Sequence, residues 1–125
     1  MLGTLAVAVG GAAGAVLRYG ATMMAARLWG AEFPWGTIAI NVLGSFVIGW
    51  FATATLPGTA TPASHEARLL VMTGLCGGFT TFSAFSLQTL DLLRSGDLAW
   101  AAANVVLSVL LCLTAVAAGF WLGGR

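Results

Sequence analysis

Long apolar runs separated by brief polar intervals set the plan of this chain. Four stretches, Leu2 to Leu28, Trp35 to Leu56, Glu66 to Arg94 and Leu98 to Leu122, are each near or above the length of about 20 residues at which a helix crosses a bilayer. The connections WGAEFP, PGTATPASH and SGD are short, and Pro34, Pro57 and Pro62 fall at these edges, where a missing amide hydrogen costs little. Trp29, Trp35, Trp50, Trp100 and Trp121 lie mostly near span ends, as an interfacial belt would place them. The pattern predicts an all-α membrane protein of four transmembrane helices.

Polar positions inside the spans recur at helical spacing. The first span puts Gly10, Gly14, Arg18 and Thr22 on one face. Small residues four apart let helix backbones approach closely, so the glycines predict a packing seam. An arginine this deep must snorkel, pair or face water, and an aqueous vestibule is the expected role of Arg18. The second span aligns Thr37, Asn41, Gly44, Ser45 and Ile48; the amide of Asn41 either glues helices together or lines a polar path. The fourth aligns Asn104, Ser108 and Cys112.

The third span is different, because its middle, GLCGGFTTFSAFS, carries three glycines and four hydroxyl residues. In hydrocarbon every peptide group needs an internal partner, so such an interruption is tolerated only where protein or water satisfies the freed groups. A broken helix is therefore expected here, opening at Gly74, Gly77 and Gly78 and baring backbone carbonyls. A side chain at Gly77 is expected to block the backbone conformation required. Thr80, Thr81, Ser83 and Ser86 join the stripes of the second and fourth spans in a series of uncharged hydrogen-bonding groups.

Composition narrows what such a lining can do. The 125 residues are 59% hydrophobic and 7% charged, and the length fits a single domain, residues 1–125. A formal net charge of +1 gives no reason to expect nucleic acid as a partner. Cys76 and Cys112 make neither a disulfide framework nor a metal cluster and read as small buried hydrophobes. The first 18 residues lack the basic start of a secretory signal and are expected to remain as the first membrane helix. Glu32, Glu66, Asp91 and Asp97 all lie in loops or near span ends, whereas a proton-coupled pump wants an acid at depth. With no catalytic Ser/His/Asp or Cys/His set and no phosphate-binding Gly-Lys loop, an enzyme is not expected.

Hydroxyl and amide groups can donate to an anion without trapping it, and conduction needs weak, repeated sites. Phe79, Phe82 and Phe85 recur at i+3; a phenyl edge is positive and can face an anion, although periodicity by itself favours core packing. Bared carbonyls suit a hard cation equally well. The residues alone thus predict a small polar-lined membrane pathway and leave the sign of the ion open.

Across nearly its whole length the chain resembles the fluoride channel family known as Fluc or CrcB. The likeness rests on GLCGGFTTFSAFS, with GTIAINVLGSF, GGAAGAVLRYG and WAAANVVLS in the other spans. It implies passive fluoride export across the bacterial inner membrane by an antiparallel, dual-topology homodimer. It also implies two fluoride pores at the dimer interface and a central structural Na⁺ on the backbone carbonyls of Gly77 and Thr80. Asn41, Phe82 and Phe85 would line the pore, with Ser83 and Ser108 on a hydroxyl track, to which Thr81 and Asn104 are added as pore residues. Arg18 stands where the family has its first-helix arginine. Ala84 replaces a frequent Thr of the motif, and Ser108 an Asn found in some members. Two other readings remain: a small multidrug exporter, which would carry a Glu in the first helix, and a purely structural membrane subunit.

Overall fold

The structure, a computed structural model, describes all of residues 1–125. Helices α1 (Leu2–Trp29) and α2 (Trp35–Ala54) are followed by α3 (residues 65–79), α4 (Phe82–Arg94) and α5 (Leu98–Gly123). Residues 65–94 together form one span of membrane-crossing length, so four spans are long and apolar enough to cross a bilayer. They differ from the expected runs by one or two residues at their ends. Large apolar side chains such as Val16, Leu87 and Leu110 point outward, the arrangement of a multi-pass protein whose outer solvent is lipid.

Two glycine seams hold the helices in pairs. A Cβ on Gly10 would strike the Leu70 carbonyl, and one on Gly14 the Leu75 carbonyl. From the facing side, a Cβ on Gly74 would lie 2.9 Å from Gly10 Cα, and one on Gly78 would overlap the Gly11 carbonyl. The glycines of α1 and α3 thus bring two backbones into direct contact, as small residues do in membranes. The second seam joins α2 to α5: Gly49 faces the Val116 carbonyl, Gly119 the Phe46 carbonyl and Gly123 the Trp50 carbonyl. Thr53 Oγ1 adds a bond across this seam to the Phe120 carbonyl at 2.9 Å.

The ends of the bundle are closed by side chains. At one end Phe33 lies edge-on to Trp35 at 4.7 Å between centroids and against Trp100 at 4.9 Å. At the other, α2 stops at Ala54, two residues before the Leu56 expected from hydropathy, because its last carbonyls find side-chain donors. Thr59 and Thr61 donate to the Ala54 carbonyl at 2.9 and 3.1 Å, while Arg68 donates to the Ala52 carbonyl and to Thr55 Oγ1. A cation over a helix C-terminus also offsets the negative end of the macrodipole.

Within α3 the winding changes along its length. His65–Arg68 is α-helical, capped by Ser64, which accepts from the Ala67 amide at 3.1 Å. Leu69–Cys76 winds more widely as a π-helix, and Gly77–Phe79 is again α-helical. Thr80 (ψ 158°) and Thr81 (φ −153°) are extended before α4 begins. The departure from helical geometry therefore falls two residues beyond the glycines. Gly74 and Gly78 serve close packing, and Gly77 is an ordinary helical residue at φ −63°, ψ −38° with nothing within 4 Å of a Cβ placed on it. The conformational need for glycine expected at Gly77 is not found, since any residue adopts those angles.

Candidate functional site

A groove of about 420 Å³ runs between α2, α3, α4 and α5, open along one side. Asn41 and Ser45 line it from α2, Thr80 and Thr81 from the extended pair, Phe82 and Phe85 from α4, and Ser108 from α5. Most positions picked out by the sequence as polar path or pore thus meet in one cavity.

Asn41 makes the junction possible. Its Nδ2 donates to the Thr81 carbonyl at 3.1 Å and its Oδ1 accepts from the Thr81 amide at 2.8 Å, so a side-chain amide pairs with the backbone of an extended residue. In a continuous helix the Thr81 amide would bond to the Gly77 carbonyl, and the Ala84 amide to the Thr80 carbonyl. Neither bond is made: the Ala84 amide instead goes to Thr81 Oγ1 at 3.1 Å, which caps α4. Both carbonyls have lost their i+4 donors. The Thr80 carbonyl receives Arg18 Nη1 at 3.3 Å, whereas Thr80 Oγ1 turns away to the Cys76 carbonyl at 2.8 Å. Arg18 therefore reaches inward from α1 to the backbone of the junction.

The two groove phenylalanines stack on successive turns with centroids 5.3 Å apart and planes tilted by 42°. Phe82 is 78% exposed, so in this chain it packs no core. Phe79 belongs elsewhere, in a separate apolar cavity of about 490 Å³ that Leu17, Leu43 and Leu75 also line. The i+3 series thus splits at the extended pair, which turns α4 out of phase with α3. Ser83 lies outside the groove lining, its Oγ 3.3 Å from Thr81 Oγ1.

Asn104 stands apart from the open lining. It is 1% exposed, donates to Thr89 Oγ1 at 2.8 Å and accepts from Ser108 Oγ at 3.3 Å. Thr89 in turn donates to the Phe85 carbonyl at 2.8 Å, so a chain of bonds runs from α5 to the turn that carries Phe85. Thr89 was not singled out from the sequence. Its signal was present all the same, as a hydroxyl four residues after Phe85 and so one turn along the same face.

Residues 5–120 match the family described as CrcB-like protein, Camphor Resistance (CrcB). Among curated relatives, the fluoride-specific ion channel FluC of Opitutus terrae is 53% identical over 119 residues, covering 95% of this chain and 87% of its own. The protein of the same name in Methylobacterium radiotolerans is 51% identical over 123 residues, with 94% and 85% covered. That of Gluconobacter oxydans is 55% identical over 116 residues, with 92% and 80% covered. A family match over most of the length and identities above half, together with four membrane-crossing spans and a polar groove built on the quoted motif, place this chain in the CrcB family.

Proposed function

We propose that this chain is a passive fluoride channel of the cell membrane, exporting the ion, and that two copies in opposite orientations form the working unit. Its family relatives are named as fluoride channels, which is a transporter class and not an enzyme class. The observation that carries the reading is the groove itself. It is partly open, is lined by the polar residues Asn41, Thr81 and Ser108, and presents an almost bare Phe82 in a span that must lie in lipid. Polar groups facing hydrocarbon are costly. A second, inverted copy would cover them and convert the open groove into a closed path.

Along such a path the donors are weak and uncharged. Asn41 keeps one Nδ2 hydrogen beyond its bond to Thr81, Ser and Thr hydroxyls can rotate toward an anion, and the Phe82 and Phe85 edges add positive faces without a full charge. Several such contacts in series suit a small anion that must be both taken up and released. Thr81, Ser83 and Ser108 would form the hydroxyl track. Asn104 would support it from behind, through Thr89 and Ser108.

The Na⁺ site belongs to the same reading. The carbonyls of Gly77 and Thr80, stripped of their i+4 donors, fit a hard cation that prefers oxygen ligands. When bound, the ion supplies fixed positive charge to the junction. The test of function is fluoride efflux from liposomes containing the purified protein. Fluoride release without a coupled proton or drug gradient supports the proposal, and liposomes no leakier to fluoride than empty ones overturn it.

A further inference from the structure

We propose that Arg18 and the junction Na⁺ compete for the Thr80 carbonyl, so that Arg18 holds the junction together before the ion arrives and weakens the ion's binding afterwards. The inference rests on the sodium reading above. Its ground is the Arg18 Nη1 to Thr80 carbonyl contact of 3.3 Å, made from a different helix 62 residues away. That carbonyl would otherwise be bare, because the Ala84 amide is held by Thr81 Oγ1. A guanidinium donates and carries positive charge, so it satisfies a lone carbonyl much as a small cation would.

The charges facing Arg18 decide the sign of the effect. No salt bridge involves Arg18; its side chain hydrogen-bonds to the Thr80 carbonyl, and Thr22 Oγ1 donates to the Arg18 backbone carbonyl at 2.9 Å. The acids lie at the ends of the spans, with Glu32, Asp91 and Asp97 together at one end. A cation arriving at the same oxygen therefore meets an uncompensated positive charge within a few ångströms, in surroundings of lower dielectric than water. Arg18 must swing away or remain as a repulsive neighbour, and in both cases binding of the ion is weakened. Without sodium, the same side chain spares the junction a bare carbonyl.

Two opposite effects of one substitution follow, and a purely structural arginine would not produce both. The protein is prepared in detergent with a large organic cation in place of sodium, and its thermal unfolding is followed as sodium chloride is added at constant ionic strength. Wild type should gain stability with sodium. Arg18→Gln retains a donor but no charge; it should be less stable than wild type without sodium, yet reach half of its sodium-dependent gain at a concentration about tenfold lower. Arg18→Lys retains the charge and should titrate like wild type. The proposal is overturned if Arg18→Gln needs as much sodium as wild type or more, or if Arg18→Lys shifts as far as Arg18→Gln. If wild type itself ignores sodium, the sodium reading fails and the competition falls with it, whereas equal titration of all three proteins removes only the competition. Should Arg18→Gln not fold, sodium-free and sodium-loaded structures of wild type decide. The Arg18–Thr80 contact should lengthen or break on loading, and its persistence beside the ion refutes the proposal.

Discussion

Phe82 and Asn104 occupy opposite extremes of exposure, and the difference sets what each substitution should do. Phe82→Ile removes an aromatic edge from a side chain that is 78% exposed in the single chain, so the stability of the folded chain should move by no more than about 0.5 kcal/mol. Edge contacts are worth about 0.5–1.5 kcal/mol, and losing one from the barrier region should slow fluoride flux by up to about tenfold. Wild-type flux from a folded Phe82→Ile, Phe85→Ile protein would return both rings to a packing role. Asn104→Ala should behave in the opposite sense, because it leaves the Ser108 hydroxyl without its acceptor in a buried place. Its unfolding free energy, measured in detergent, should fall by about 1–3 kcal/mol. The polar residues of the site were legible in the sequence because an amide or hydroxyl inside an apolar span stands out. Their division of labour was not, since Asn104 and Asn41 look alike as stripes. Only the fold shows that one meets Thr89, fifteen residues away, and the other the backbone of Thr81.

At the scale of helices, hydropathy located the four spans to within one or two residues, because a run of apolar side chains is itself the requirement for crossing lipid. Glycine was harder to read. The same residue type opens a helix and lets two helices touch, and in GLCGGFTT the second use prevails while the extended residues are the threonines that follow. The seam of Gly49, Gly119 and Gly123 was missed although Gly119 and Gly123 stand four apart, the same spacing that marked Gly10 and Gly14. Neighbouring glycines of α1 test the assignment. Gly10→Ala would drive its methyl into the Leu70 carbonyl and should destabilise the α1–α3 pair, whereas Gly11→Ala has nothing within 4 Å and should be neutral or gain up to about 1 kcal/mol in helix propensity. Equal unfolding midpoints for the two variants would rule out the seam.

For the molecule as a whole, the loop charges are nearly balanced. Arg27 and Arg94 lie toward one end of the bundle, with Arg68 and Arg125 toward the other, and topology follows the excess of Arg and Lys in short loops. C-terminal reporters should therefore be found on both sides of the membrane, and added lysines in the 55–64 loop should force one orientation and abolish flux until an oppositely biased copy is co-expressed. A reporter found on one side only would contradict dual topology. Gly77→Ala probes the assembly without disturbing the chain, because the residue is helical and its surroundings are open. The monomer should fold as before; because Gly77 also lines the groove, a loss of dimer on cross-linking reads the second copy or the ion, whereas a loss of flux with the dimer intact reads the added methyl in the path.

The π-wound segment Leu69–Cys76 gives the third span a tolerance for length that the others lack. Wide winding uses more residues per turn than an α-helix does, so one residue can be lost there and most of the difference recovered by rewinding to ordinary pitch. Deleting Thr73, which is exposed, should keep both flanks near their present faces and leave a folded protein. Deleting Ala13 from the regular α1 would instead turn every residue after it by about 100° about the helix axis. Single-codon deletions should therefore survive selection in the first half of the third span and be purged from the first. Such indels would record, in the gene, where the helix holds slack.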